Sequence, residues 1–175
     1  MKMDLKEKIR RIPEFKGVVF WDITPLLQDP KAFREAINKL AEHYRSKDVD
    51  VIVSNEARGF TIGAPLAYVL GVGFVPIRKK GKLPGKTMQL TYDKEYEKDV
   101  IEMHEDAIKK GDRVLIIDDL LATGGTAKAN AELIENAGGE VIGLGFLIEL
   151  EYLGGRKLLD KYETYSLVKL SNTNS

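Results

Sequence analysis

The chain has 175 residues, of which 43% are hydrophobic, and its 27 basic residues balance its 27 acidic residues. A balanced charge excludes a global field that would collect nucleic acid or anionic membranes, so any anion must be bound by a local site. The sequence contains no cysteine and only two histidines, which excludes disulfides, thiolate catalysis, zinc–thiolate sites and a histidine-rich metal site.

The N-terminal segment MKMDLKEKIRR is charged throughout and contains no apolar signal-peptide stretch. No apolar run along the chain approaches the length of a membrane span. The sequence also has no repeat, low-complexity linker or composition break that would divide it. We therefore expect a cytoplasmic protein that binds neither membrane nor nucleic acid and forms a single domain over residues 1–175.

A helical pattern runs from Pro30 to Lys47, where apolar residues recur three or four positions apart and Asp29 can cap the first turn. Strands and helices then alternate along the chain. We predict strands over residues 48–54, 73–77, 113–118 and 141–150, and helices over residues 60–70 and 126–137.

This alternation, with nearly continuous apolar strand interiors, predicts an α/β fold built on a mostly parallel central sheet that helices flank on both faces. Ligands of such sheets bind outside the carboxyl ends of the strands. A functional site is therefore expected just beyond the predicted strand ends at Ser54, Ile77, Asp118 and Leu150.

The connection between Ile77 and Arg113 spans about 35 residues, far more than the roughly 4–6 residues of a typical connection. Within it, Met88–Tyr92 and Val100–His104 have the pattern of a two-stranded hairpin. A long polar insertion at the carboxyl edge of a sheet is usually a lid or a binding loop. We expect a lid over about residues 79–104.

The segment VLIIDDLLATGGTAKA, Val114–Ala129, joins an apolar strand to a helix through a turn of small residues. Unsatisfied amides at the helix start, the helix dipole and the hydroxyls of Thr123 and Thr126 suit a phosphate group. Carboxylates repel phosphate, so Asp118 and Asp119 should face another part of the same ligand, such as ribose hydroxyls or a divalent cation. A sugar phosphate with a free cis-diol satisfies both halves of this motif.

This segment resembles the phosphoribosyl pyrophosphate (PRPP) motif of the type I phosphoribosyltransferases, and its DDLLATGGT core is most similar to the adenine-specific branch of that family. Four other segments follow in the order that the family uses: DITPLL at 22–27, EARGF at 56–60, GVGFVPIRKKGKLPG at 71–85 and EY at 95–96. The resemblance extends from Ile12 to about Leu170. It implies the type I fold, with a mostly parallel central sheet, flanking helices and a long lid hairpin.

The resemblance implies transfer of the 5-phosphoribosyl group from PRPP to a purine nitrogen, with adenine as the expected base and pyrophosphate as the leaving group. It also implies a requirement for Mg2+, bound mainly through PRPP, and a homodimer. No side chain is assigned as a direct metal ligand.

Roles for individual residues are carried over from the resemblance. Glu95 is expected to exchange a proton with the base, and Tyr96 to help close the site. Val19 and Trp21 are expected to read the base edge through backbone groups, and Leu150 to supply an apolar face. The residues expected to bind PRPP are Arg58, Arg78, Lys79, Lys82, Tyr96, Asp118, Asp119, Ala122, Thr123, Gly124, Gly125 and Thr126.

The sequence departs from the family pattern at four places. The segment IPEFKGVVFWD is two residues shorter than the family's PxFPxPG segment followed by FRD, and Trp21 stands where arginine is common. Ser54 and Asn55 replace a common glycine, and the lid reads EYE where EYG is usual. Because Trp21 is expected near the base, an alternative is the same phosphoribosyl transfer to a 6-oxopurine, namely hypoxanthine, guanine or xanthine. A PRPP-sensing regulator without catalysis is a further alternative, but the chain has no spare length for a DNA-binding module. The family also leads us to expect a cis peptide bond between Glu56 and Ala57.

Overall fold

The computed structural model describes residues 4–93 and 98–172. Nine strands and four α-helices lie within these ranges. Their bounds, in chain order, are β1 Arg10–Phe15, β2 Val18–Asp22, α1 Thr24–Gln28, α2 Pro30–Tyr44, β3 Val51–Asn55, α3 Arg58–Leu70, β4 Gly73–Lys79, β5 Thr87–Asp93, β6 Lys98–His104, β7 Arg113–Leu121, α4 Gly125–Asn136, β8 Glu140–Leu150 and β9 Thr164–Leu170. Short 3-10 turns occupy Leu5–Lys8, Glu151–Leu153 and Gly155–Leu159.

Seven strands form one sheet in the order β5-β6-β4-β3-β7-β8-β9. The strands from β4 to β9 in this order run parallel to one another. Strand β6 is antiparallel to both β4 and β5. The predicted α/β fold with a mostly parallel central sheet is therefore confirmed.

The predicted hairpin within the long insertion is also confirmed. Strands β5 and β6 pair over their full length, from Thr87 opposite His104 to Asp93 opposite Lys98. The end of β4 pairs with β6 through Arg78 and Lys79. The hairpin therefore continues the central sheet at its edge and projects from the carboxyl end of β4.

Helices cover both faces of the sheet, because its central strands are apolar at consecutive positions. On one face, Ile52 and Leu115 pack with residues of α2 and α3 such as Leu40 and Leu66. On the other face, a second cluster joins Val53, Val114 and Ile116 to Leu133 and Ile134 of α4. Both faces of β3 and β7 are thus buried, as expected for parallel strands.

Helix α2 confirms the predicted helix after Asp29, whose carboxylate accepts hydrogen bonds from the amides of Lys31 and Ala32. Two features were not predicted: the antiparallel hairpin β1–β2, which turns at Lys16 and Gly17 with positive φ, and the edge strand β9. Among the residues that the structure describes, no helix combines the length and hydrophobicity needed to cross a bilayer.

Candidate active site

A cleft of about 240 Å3 lies at the carboxyl edge of the sheet. It is bounded by the ends of β3, β4 and β7, by the starts of α3 and α4, and by the lid hairpin β5–β6. The position agrees with the rule for ligand sites of parallel sheets. Residues that line the cleft include Asn55, Arg58, Lys79, Asp118, Asp119 and Thr126.

The predicted phosphate-binding segment, Ala122–Thr126, connects β7 to α4 beside this cleft. Gly124 adopts φ +88°, which favours glycine, and α4 begins at Gly125 with no side-chain cap. The first amides of the helix are therefore available to an anion, and the helix dipole adds to the attraction. A smaller cavity of about 70 Å3 joins the segment to Asp118. The structure thus brings the predicted loop and the acidic pair together.

The two aspartates of the acidic pair have different surroundings. Asp119 is 6% exposed, and its Oδ2 lies 2.9 Å from Nε of Arg58. Asp118 is half-buried, its Oδ1 accepts a hydrogen bond of 2.9 Å from the Asp119 amide, and Gly59 packs close against it. Burial, and then the charge of Asp119, raise the pKa of the Asp118 carboxyl well above its usual value. Asp119 is therefore ion-paired with Arg58, whereas the negative charge of Asp118 is poorly compensated.

Arg58 is held from two sides at the start of α3. Besides Asp119, its guanidinium carbon lies 4.7 Å from the centroid of the Phe20 ring, in cation–π geometry. The peptide bond between Glu56 and Ala57, just before the arginine, is cis, which confirms that expectation. Arg58 consequently faces the cleft from a defined position.

Arg78, Lys79 and Lys82, three basic residues expected to bind PRPP, have different surroundings in this structure. Lys79 lines the cleft, with Nζ 3.8 Å from Asp99. Arg78 instead donates to Glu56 at 3.2 Å, while the Lys79 amide donates to the other oxygen of the same carboxylate. The side chain of Lys82 is exposed. Only Lys79 of the three belongs to the lining of the cleft.

A buried carboxylate holds the base of the lid. Glu102 on β6 is 2% exposed and accepts hydrogen bonds of 2.9 Å from the amides of both Lys82 and Leu83. The side chains of Thr87 and Gln89 also donate to it. Burial raises the pKa of Glu102, but these hydrogen bonds outweigh burial and leave the pKa below its usual value. Sequence reasoning missed this residue, because a single glutamate in a strand has no distinctive pattern.

The lid hairpin contacts the phosphate-binding segment directly. The Tyr92 hydroxyl on β5 lies 3.1 Å from Oγ1 of Thr126, and either atom can donate. Tyr92 was not among the predicted site residues. The predicted catalytic residue Glu95 and its neighbour Tyr96 lie outside the described residues.

The predicted base-binding residues belong to one apolar core cluster, and none of them is among the residues that line the cleft. Trp21 and Leu150 are each 4% exposed, and Val19 packs against the same cluster. The Trp21 indole N–H donates to the hydroxyl of Tyr152 at 3.3 Å. Tyr152, which sequence reasoning did not single out, therefore takes up the hydrogen-bonding capacity of the indole.

The acidic pair fits a cation that a phosphorylated substrate brings with it. Among residues 4–93 and 98–172, no three His, Asp or Glu side chains form a complete metal site. Mg2+ commonly takes only one or two carboxylates from the protein and its other ligands from water and substrate phosphates. Asp118 and Asp119 can supply such a pair.

Comparisons with known proteins place this geometry in context. The family model for the phosphoribosyl transferase domain matches residues 22–174. An adenine phosphoribosyltransferase of Clostridium perfringens is 56% identical over 168 residues, which are 95% of this chain and 98% of that protein. The crystal structure of adenine phosphoribosyltransferase from Thermoanaerobacter pseudethanolicus matches with a TM-score of 0.92 and 53% identity, covering 95% of this chain and 98% of the other.

A further solved structure carries ligands. The adenine phosphoribosyltransferase of Saccharomyces cerevisiae, in complex with adenine and D-2,5-dideoxy-2,5-imino-altritol 1,6-bisphosphate, matches with a TM-score of 0.86 and 40% identity. The match covers 93% of this chain and 95% of that one.

Proposed function

This chain belongs to the adenine phosphoribosyltransferase family, and we propose that it transfers the 5-phosphoribosyl group of PRPP to adenine, forming AMP and pyrophosphate in purine salvage. The observation that carries this proposal is the meeting, at one cleft, of the acidic pair, the segment Ala122–Thr126 and Arg58. Each of the three suits a different part of PRPP.

The sugar phosphate would be bound by the end of β7 and the start of α4. Amides of Ala122–Thr126 and the hydroxyls of Thr123 and Thr126 would hold the 5-phosphate. Asp118 and Asp119 would accept hydrogen bonds from the ribose hydroxyls. Ribose donors would also relieve the charge repulsion that raises the pKa of Asp118.

The leaving diphosphate would be bound by cations around the cleft. Arg58 and Lys79 already face it, and Arg78 and Lys82 stand at the base of the lid. Fixed positive charge stabilises the negative charge that grows on a leaving group in the transition state. Mg2+ bound through PRPP would add to this neutralisation, with Asp118 and Asp119 as the carboxylates able to hold it.

In the reaction, a purine nitrogen forms a bond to the anomeric carbon of PRPP as the bond from that carbon to the diphosphate oxygen breaks. The diphosphate keeps the electron pair of the broken bond. The purine nitrogen system must lose a proton, and Glu95 is the residue to which we assign its removal or relay. Tyr96 and the lid would exclude water from the reacting carbon.

The base would lie next to the cluster of Val19, Trp21 and Leu150. Because the Trp21 indole is buried and bonded to Tyr152, base reading is assigned to backbone groups near Val19 and Trp21. Leu150 would supply an apolar face. The presence of tryptophan at position 21 is then compatible with adenine as the base.

Incubation of the protein with PRPP, Mg2+ and each free purine tests the substrate assignment. We expect AMP from adenine, with an equal amount of pyrophosphate, and little product from hypoxanthine, guanine or xanthine. IMP, GMP or XMP as the main product would contradict adenine as the base while keeping the transfer chemistry. Absence of any product would contradict the proposed reaction.

We further propose that the protein is a cytoplasmic homodimer formed from single-domain subunits. Tyr68, which is 88% exposed, and Val69 at the end of α3 provide apolar surface that a subunit contact would cover. Light scattering coupled to size-exclusion chromatography should give twice the mass of the chain. A mass equal to one chain would contradict the dimer.

A further inference from the structure

A glycine far from the phosphate-binding segment in sequence lies directly against it. A Cβ atom on Gly155 would be 2.2 Å from the carbonyl oxygen of Ala122 and 2.9 Å from the amide nitrogen of Gly124. In the opposite direction, a Cβ on Gly124 would be 2.5 Å from the carbonyl oxygen of Gly155. Two backbones therefore pack together with no room for a side chain on either one.

An ion pair fixes the turn that contains Gly155. Arg156 donates through Nε to Oε1 of Glu149 at 2.9 Å and through Nη2 to the other oxygen of the same carboxylate. Its Nη1 donates to the carbonyl oxygen of Thr164 at 2.6 Å, and Nη2 also reaches Ser166. Because Glu149 lies on β8, and Thr164 and Ser166 on β9, one guanidinium ties the turn to two strands of the sheet.

The other end of the turn is also anchored. Leu159 is fully buried in the same cluster as Ala127 and Leu133 of α4. Glu149 is 3% exposed. Burial raises the pKa of Glu149, but hydrogen bonds from Arg156 and Ser166 outweigh it and leave the pKa below its usual value. The pair is therefore ionised at neutral pH, and the turn cannot shift without breaking it.

We propose that Gly155, held in place by the Glu149–Arg156 ion pair, is a positioning residue that sets the conformation of Ala122–Thr126 and thereby the affinity for the 5-phosphate of the ribose. This inference rests on the proposed function of that segment. None of Gly155, Glu149 or Arg156 touches the substrate under this proposal. They act through the backbone that does.

The proposal predicts that a change at Gly155 affects the site assigned to the 5-phosphate but not the site assigned to the diphosphate. A shift of the segment would misplace the amides that face the 5-phosphate. Arg58 and Lys79, which are assigned to the diphosphate, lie on α3 and β4 respectively, outside the segment that Gly155 packs against. A defect at Gly155 should therefore weaken binding of ribose 5-phosphate and leave binding of pyrophosphate nearly unchanged.

The test compares Gly155→Ala with the wild type and with Gly73→Ala as a matched control. A Cβ on Gly73 meets only a methyl group of Val51 at 3.6 Å, an ordinary contact. We expect Gly155→Ala to weaken ribose 5-phosphate binding and raise the KM for PRPP by about tenfold or more, because misplaced binding groups are costly. Pyrophosphate affinity should change by less than about twofold, as expected for an independent site. Gly73→Ala should match the wild type in both titrations.

Three results would overturn the inference: unchanged ribose 5-phosphate affinity in folded Gly155→Ala, an equal loss of both ligands, or the same selective loss in Gly73→Ala. If Gly155→Ala does not fold, Arg156→Lys replaces it, since lysine keeps the charge but loses the two-pronged contact to Glu149. The same selective loss, at smaller size, is then expected, and wild-type affinity for both ligands would overturn the inference. A wild-type protein that fails to bind ribose 5-phosphate would contradict the proposed function itself.

Discussion

Asp118 illustrates how a residue that we assign to substrate binding can destabilise the fold that carries it. Its pKa is raised by burial and by the charge of Asp119. A carboxyl whose pKa is raised in the folded state binds more protons there than in the unfolded state. Its contribution therefore lowers stability as the pH rises from its ordinary pKa of 3.8 through the raised value.

Asp118→Asn should be more stable than the wild type at neutral and alkaline pH. Asparagine keeps the oxygen that accepts the hydrogen bond from the Asp119 amide, but it removes the negative charge that repels the Asp119 carboxylate. We expect the Tm of the variant to exceed that of the wild type by a few degrees at about pH 8, and by less at about pH 5. Thermal unfolding at both pH values measures this. A variant that melts below the wild type at pH 8 would show that the charge is compensated after all.

Trp21 is assigned a packing role for its side chain rather than a contact with the base. Trp21→Phe removes the hydrogen bond to Tyr152 and should cost about 1 kcal/mol of unfolding free energy. The ratio of kcat/KM values for adenine and hypoxanthine should stay as in the wild type. Steady-state kinetics with both bases checks this, and a marked shift of the ratio would make the indole itself a determinant of specificity.

The conformation of the turn at the base of the lid depends on one buried side chain, that of Glu102. Glu102→Gln replaces a carboxylate that accepts four hydrogen bonds with an amide that has only one accepting oxygen. We expect hydrogen-exchange protection of the Lys82 and Leu83 amides to fall by about tenfold or more, with a higher KM for PRPP. Glu105→Gln is the control, because Glu105 lies on the same side of the hairpin but is exposed and contacts Lys86 instead of Lys82 or Leu83. Equal hydrogen-exchange protection of the two amides in both variants would contradict the assignment of Glu102 as the residue that holds the base of the lid.

Periodicity predicted the elements whose pattern is local. Helix α2 repeats apolar residues at helical spacing after a capping aspartate, and β7 is a continuous apolar run, so both were recovered. The hairpin β1–β2 was missed because Pro13 and the charges of Arg10 and Arg11 obscure any alternation in β1. Strand β9 was missed because TYSLVKL alternates only weakly and lies at the sheet edge, where one neighbouring strand defines it.

Within the site, too, residues close together in sequence were predicted and those brought together by folding were not. Asp118, Asp119 and Ala122–Thr126 lie within one short segment, so their pattern is visible in the sequence. Glu102 and Gly155 act on segments about 20 or more residues away, and only folding brings them together. Long-range contacts of this kind leave no spacing rule in a single sequence.

For the whole molecule, buried carboxylates govern the response to acid. The Thr24 hydroxyl, together with Arg10, outweighs burial and lowers the pKa of Asp22 from 3.8 to about 2. The pKa values of Glu102 and Glu149 are lowered from 4.5 as well. Groups with lowered folded-state pKa values stabilise the protein above their unfolded values, and this stability is lost as the pH falls through the folded values.

We therefore expect the Tm to fall steeply as the pH drops from about 4.5 towards about 2, with Asp22 alone contributing on the order of 2 kcal/mol. Thermal unfolding over this pH range measures the effect. Asp22→Asn should be less stable at neutral pH and less sensitive to acid. A Tm that stays constant over the range would contradict the assigned ion pairs and hydrogen bonds.

The arrangement of the sheet explains why its chemistry gathers at one edge. Parallel strands β3, β4 and β7 deliver Asn55, Lys79 and Asp118 to the same side. The start of α3 adds Arg58, and the start of α4 adds the uncapped helix end that we assign to the 5-phosphate. The lid hairpin extends from the neighbouring strand over this edge. Strand direction and connection order thus explain the position of the cleft, which we assign to a sugar that carries a phosphate and a diphosphate.

The most direct measurement is AMP formation from PRPP, Mg2+ and adenine by the wild type and by the Asp118→Asn, Asp119→Asn double variant. We expect the wild type to release AMP and pyrophosphate in equal amounts, and the folded double variant to lose at least about a hundredfold in kcat/KM. A wild type that forms no AMP, or a folded double variant as active as the wild type, would contradict the assignment of the acidic pair and the phosphate-binding segment to PRPP.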